Sequence, residues 1–137
     1  MSAWPLERSA SHCLALAGSA LWIIAGAALA QTDLKRGEKL YTECRACHSL
    51  EAGVNTVGPT LAGVVGRKAA ALDEFRYSPA MKRSNIAWSR QTLDEFIADP
   101  QKVVPANRMP YSGLADAKDR ADLIGYIVQA ARAHGSK

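Results

Sequence analysis

Cys44-Arg45-Ala46-Cys47-His48 is the segment of this 137-residue chain whose residue types and spacing prescribe a chemistry. A C-x-x-C-H run reads as a c-type haem attachment site. Each cysteine sulfur adds to a haem vinyl group, and two intervening residues match the spacing of those groups along one porphyrin edge. His48 follows directly, so its imidazole lies under the ring and can bind the iron from the proximal side. Two other chemistries share these residues. A thioredoxin-like redox pair needs alternating strands and helices, which the hydrophobic pattern lacks. A structural zinc site needs four ligands, and beyond Cys44, Cys47 and His48 the only other histidine or cysteine after residue 30 is His134, near the C-terminus.

The sixth iron position separates electron transfer from reaction with small molecules, and three side chains compete for it. Met81 lies in a short helical segment beside Lys82 and Arg83, where packing explains it. Met109 lies between Pro105 and Pro110, in a stretch that cannot be regular helix and can present a thioether on a stiff loop. His134 sits on a polar tail, where solvation accounts for it.

The elements that must position these groups follow from periodicity and caps. Leu34, Leu40, Tyr41 and Cys44 recur at helical spacing behind a Thr32-Asp33 cap, predicting a first helix that ends at the cysteine motif. From Ser49 to Arg76 the periodicity vanishes and Gly53, Gly58, Gly63 and Gly66 punctuate the chain around Pro59. An ordered loop this long in a small domain needs something to wrap, and a bound group would complete its core. Ser78-Pro79 opens a short helix ending near Asn85. Another is expected over Thr92 to Asp99, with Thr92 and Glu95 at capping-box spacing and Pro100 as its stop. Val103 to Gly113 is extended or turned, and a final helix runs from near Asp116 to about Arg132 with Leu123, Ile124, Ile127 and Ala131 on its buried stripe. No alternating strand or internal repeat is present, so the domain is expected to be all-α.

Residues 14 to 30 form a run of apolar and small residues preceded by Arg8 and ending in Ala28-Leu29-Ala30, the pattern of a secretory signal with an A-x-A cleavage site. The expected organisation is a signal peptide over 1–30, cleaved after Ala30, and one domain over 31–137. Retention as a membrane anchor is the alternative, since seventeen residues reach the lower limit for spanning a bilayer. Cleavage removes Cys13 and leaves Cys44 and Cys47, which close too small a loop to act as a structural staple. It also removes one acid, Glu7, and one base, Arg8, so the formal charge stays at +4. The basic residues are spread along the chain without a nucleic-acid motif, which points to acidic protein partners and excludes nucleic acid.

From about Gly37 to Ala131 the order of motifs resembles class I cytochromes c, specifically the mitochondrial-like bacterial kind. The resemblance implies a compact fold of helices and long loops wrapped around one covalently bound haem, with the N- and C-terminal helices crossing at Gly37, Leu123, Gly125 and Tyr126. Gly58-Pro59-Thr60-Leu61 and Gly63-Val64-Val65-Gly66-Arg67 look like the family's loop beneath the haem. By that likeness the Pro59 carbonyl accepts the N–H of His48, and Arg67 lies near a haem propionate. Tyr77 and Trp88 match aromatic residues that hydrogen-bond the buried propionate, and Asn107 stands where the family has a propionate-binding polar residue. On their own, Tyr77 and Trp88 read as core aromatics and Arg67 as a surface charge; their joint occurrence carries the likeness.

Pro105-Ala106-Asn107-Arg108-Met109 resembles the family's methionine loop, which implies Met109 as the sixth ligand. Two departures stand out. Ala106 occupies a position where many members have glycine, so a positive φ there would strain it by about 1 kcal/mol and the loop is expected to follow a slightly different path. Phe96 falls where many relatives have tyrosine.

The implied function is single-electron transfer between redox protein partners by a periplasmic monohaem cytochrome that is not an enzyme and is monomeric. Its partners would be acidic donor and acceptor proteins such as a membrane oxidoreductase complex, an oxidase or a dehydrogenase, with a membrane involved only if the N-terminal segment is retained. A dedicated cytochrome subunit of a periplasmic dehydrogenase is one alternative. A gas-binding or peroxidatic haem protein with an open sixth site is another.

Overall fold

The computed structural model describes residues 31–134 together with Met1. The expected signal segment and the Ala30 cleavage site fall outside the described residues, as does the side chain of His134. Among the described residues five helices follow in chain order: α1 (Leu34–Arg45), α2 (Pro79–Arg83), α3 (Arg90–Ala98), α4 (Pro100–Val103) and α5 (Ala117–His134). Among the described residues no strand forms; a single antiparallel bridge pairs Lys68 with Ala87. None of these helices is long and apolar enough to cross a membrane.

Helix α1 starts where expected because the Asp33 side chain accepts the Arg36 N–H at 3.0 Å, satisfying one of the donors a helix start leaves open. It ends inside the cysteine motif, with Arg45 in its last turn complementing the helix dipole. Helix α5 is started by Asp116, whose carboxylate accepts the Asp119 N–H at 2.8 Å. Its apolar stripe of Leu123, Ile124, Ile127, Val128 and Ala131 is buried.

The two helices cross where Gly37 meets α5. A Cβ at Gly37 would collide with the Asp122 carbonyl and stand 2.7 Å from Tyr126 Cβ, so only glycine lets the backbones approach this closely. Gly125, expected at the same crossing, instead faces the Thr32 side chain just before α1. The crossing is also fastened by Asp122, which is 1% exposed. Its Oδ1 accepts the Asp33 backbone N–H at 2.8 Å and its Oδ2 accepts Lys118 Nζ at 2.9 Å. Those donors, with Arg36 nearby, hold the Asp122 carboxyl below the usual carboxylate range. Arg36 also pairs with Asp119 at the surface.

Two helix boundaries differ from expectation. Helix α3 begins two residues before Thr92, because Ser89 is its cap: Ser89 Oγ accepts the Thr92 N–H while Thr92 Oγ1 accepts the Ser89 N–H. Thr92 is therefore the far half of a capping box, not its beginning. Pro100 does end α3, but it also opens α4, since proline needs no N–H in the first turn and Asp99 caps the Lys102 N–H at 3.0 Å.

The core joins Tyr41 of α1, Val64, Trp88, Leu93, Phe96, Ile97 and Val104 to the α5 stripe. Phe96 lies edge-on to Trp88, with ring centroids 5.1 Å apart. The expected long loop is present between α1 and α2. Its later part is stitched to the segment before α3 by Gly66 N–H to the Trp88 carbonyl (2.7 Å), Trp88 N–H to the Arg67 carbonyl (2.9 Å) and Ala69 N–H to the Ile86 carbonyl (2.7 Å).

Candidate haem site

Cys44 projects from the last turn of α1, and Cys47 and His48 follow in the turn that leaves it. The Cys47 and His48 N–H groups both donate to the Cys44 carbonyl, at 3.0 and 2.9 Å, so the motif is wound as one tight turn. Both sulfurs are separate thiols and half-buried. Burial pushes the Cys44 thiol up to about 11, so it stands protonated at neutral pH.

His48 is held from three directions. Its Nδ1 donates to the Pro59 carbonyl at 2.7 Å, which fixes the tautomer and leaves Nε2 without a hydrogen-bond partner among the described residues. Its ring lies against Gly58, where an added Cβ would come within 2.6 Å of Nδ1, so the Gly58 backbone serves as a floor for the imidazole. Its own carbonyl accepts the Tyr41 hydroxyl at 2.8 Å. Burial lowers the His48 pKa against the opposing Pro59 bond, favouring the neutral imidazole that metals bind.

The loop that supplies Gly58 and Pro59 is held to the motif by backbone bonds from Gly58 N–H to the Cys47 carbonyl (2.7 Å) and from Leu61 N–H to the Ser49 carbonyl (2.8 Å). Thr56 Oγ1 also donates to the Cys47 carbonyl. Asn55 Oδ1 accepts the Thr60 N–H at 2.9 Å, and buried Thr60 donates from Oγ1 to the Glu51 carbonyl at 2.7 Å. Tyr41, Asn55, Thr56 and Thr60 were not singled out by sequence as site residues. Their partners are backbone atoms, which leave no mark on residue spacing.

Arg67, Tyr77 and Trp88 come together around the bridge. Trp88 is buried and its backbone pairs with Arg67. Arg67 and Tyr77 interact electrostatically, and burial lowers the pKa of Arg67 and raises that of Tyr77. Two guanidinium nitrogens of Arg67 are bonded inward, to the Ala62 carbonyl at 2.9 Å and the Thr60 carbonyl at 2.7 Å. Arg67 thus braces the Pro59 loop in addition to bringing a positive charge beside Tyr77.

Asn107 departs from its expected role. Its amide Nδ2 donates to the Pro100 carbonyl at 2.8 Å and the Val104 carbonyl at 2.9 Å, and its Oδ1 accepts the Met109 N–H at 2.8 Å. Both amide protons and the oxygen are engaged by the chain itself, so the side chain has no donor left for a propionate. Ala106 next to it has φ of 65°, a left-handed backbone held by a residue with a Cβ. Met109 and Met81 are both half-buried against the core, and Met81 Sδ also lies 4.0 Å from Ser84 Oγ.

The donor set fits a covalently attached haem: two separate thiols in a C-x-x-C turn, a neutral imidazole with Nε2 uncommitted among the described residues, and a second loop that carries a half-buried methionine. Among the described residues no three histidine, cysteine or acidic side chains gather into a metal cage.

Comparison with known proteins agrees with this geometry. The family model described as cytochrome c matches residues 34–131. Cytochrome c2 iso-2 of Magnetospirillum fulvum is 48% identical over 84 residues, covering 61% of this chain and 88% of that protein. Cytochrome c type-1 of Ascaris suum is 41% identical over 96 residues, covering 69% and 86%. Among solved structures, cytochrome cH from Methylobacterium extorquens is 41% identical with a TM-score of 0.66, covering 71% of this chain and 98% of that one.

Proposed function

Since the chain belongs to the cytochrome c family and binds one haem c covalently as an electron carrier, we propose that it is a periplasmic shuttle passing single electrons between acidic redox proteins. In this reading His48 and Met109 are the axial ligands, Cys44 and Cys47 carry the haem, and Pro59, Arg67, Tyr77 and Trp88 support it. The observation that carries the reading is the His48 clamp, with Nδ1 on the Pro59 carbonyl and Nε2 left for the iron. Bound there, the haem supplies a one-electron iron couple.

The protein's part is positioning and electrostatics. The Pro59 bond makes His48 a better donor and stops its ring from turning. His48 and Met109, each on a braced loop, would hold the haem iron at both open positions, and a haem held so would favour electron transfer over substrate binding. Arg67 beside Tyr77 is placed to restrain a buried propionate charge, which would otherwise be costly. The fastening of Thr32 and Asp33 onto α5 leaves only Gln31 between the packed body and the expected cleavage site, which argues against a long anchoring tether.

Exposed cations favour acidic partners. Arg76, Lys82, Arg83 and Arg108 line one groove with Tyr77 and Pro79, and among the described residues none of the four is paired with a carboxylate. Arg45, Lys68 and Lys102 are also exposed. Such a surface raises encounter rates with acidic proteins at low salt. Electron-transfer rates that do not change with ionic strength would refute that part of the proposal.

Optical spectra of the mature protein in both redox states test the ligand set. The ferric protein is expected to show the methionine–iron charge-transfer band and Met109→Leu to lose it. A band that survives Met109→Leu places the sixth ligand elsewhere.

A further inference from the structure

We infer that Asn107 is the positioning residue that keeps Met109 on the iron, and so sets how often the sixth position opens to an added ligand. The inference rests on Met109 being that ligand. The argument begins with what surrounds Asn107, which is 8% exposed in a loop that is otherwise largely open to solvent. Its side chain spans the end of α4 by donating to the Pro100 and Val104 carbonyls, each of which also accepts a backbone N–H, from Val104 and from Asn107 itself. With the oxygen of the same amide it accepts the Met109 N–H. One planar group therefore ties the methionine backbone to a helix end that is itself fixed by the Asp99 cap and by buried Pro100.

The backbone of Asn107 reinforces the arrangement. Its N–H donates to the Val104 carbonyl at 3.1 Å, and its carbonyl accepts Gln101 Nε2 at 3.3 Å. On the far side of the methionine, the Tyr111 N–H donates to the Met109 carbonyl at 2.9 Å. Among the described residues, Asn107 Oδ1 is the acceptor of the Met109 N–H.

Opposing this clamp is Ala106, held at φ of 65° where an L-residue with a Cβ is strained. Swinging the loop away relieves Ala106 but breaks the bonds of Asn107. The balance between Met109 bound and Met109 released is thus set by two adjacent residues that pull in opposite directions. Neither belongs to the α1–α5 crossing that holds the fold together.

Imidazole added to the ferric holoprotein reads this balance, because it binds only the released form and its apparent affinity scales with that population. Asn107→Ala is expected to bind imidazole about tenfold more tightly than wild type. Ala106→Gly is expected to bind it more weakly than wild type, and the double variant to fall between the two. An Asn107→Ala protein with lowered thermal stability and an imidazole affinity within about twofold of wild type would make Asn107 a purely structural residue and overturn the inference.

Amide exchange in the wild-type protein gives a readout that survives failure of the variant to fold. The Met109 N–H should exchange slowly in the free ferric protein and faster at saturating imidazole; equal protection in both states also overturns the inference. A wild-type ferric protein that lacks the methionine charge-transfer band would instead overturn the assignment of Met109 itself, and the clamp's effect on the iron with it.

Discussion

The α1–α5 crossing and the two ligand loops are built by different means. At the crossing, Gly37 removes a side chain so that backbones can touch, and Leu123, Ile124, Ile127 and Val128 bury an apolar stripe. In the loops the connections are polar and run from side chains to backbone carbonyls and amides: Thr60 to Glu51, Arg67 to Thr60 and Ala62, Asn107 to Pro100, Val104 and Met109. A crossing of this kind resists disruption as a unit, whereas each loop bond can open locally. The difference separates what keeps the chain folded from what keeps the iron ligated.

The severest challenge to that division is Gly37→Val. Its new atoms would meet the Asp122 backbone and Tyr126 Cβ, neither of which can move aside without parting the helices. A loss of about 3 kcal/mol in denaturant stability is expected, with the haem spectrum of the remaining folded protein unchanged. A normal stability with an altered spectrum would erase the distinction between crossing and loops.

Asp122→Asn comes next and concerns charge at the same crossing. The folded-state pKa of Asp122 is depressed by Lys118, by the Asp33 N–H and by Arg36. Its carboxylate therefore contributes stability that is fully present above the ordinary carboxylate pKa and is lost as pH falls through the depressed value. The variant should be less stable than wild type by a constant margin at neutral pH, and the two should converge below about pH 4. A margin that persists into acid would mean that shape, rather than charge, makes the fastening.

The smallest effect is expected from Thr60→Val in the Pro59 loop. It removes the bond to the Glu51 carbonyl and the acceptor of the Ala62 N–H, at a cost of about 1.5 kcal/mol. Amide exchange should show the change confined to the loop. Faster exchange in α5 as well would show that the loop and the crossing open together.

The same division explains what could be read from sequence. Helices α1 and α5 were legible because apolar spacing and acidic caps act within a few residues of one another, and C-x-x-C-H was legible because its chemistry is contiguous. The start of α3 was misplaced because Thr92 and Glu95 imitate a capping box, while the true cap, Ser89, stands at the same spacing before Thr92. Pro100 looked like a stop because proline ends helices, and its second use as the first residue of α4 depends on Asp99 turning its side chain back. Asn107 was assigned to a propionate by likeness. Its actual partners are main-chain groups that every residue possesses, so no pattern of residue types could have revealed them.

The bond between Asp33 and Asp122 joins residues 89 positions apart. A chain made from its N-terminus onward therefore presents Cys44, Cys47 and His48 well before the helix that will lock α1 in place exists. The order of synthesis thus completes the attachment motif before the helix that fastens α1 has been made.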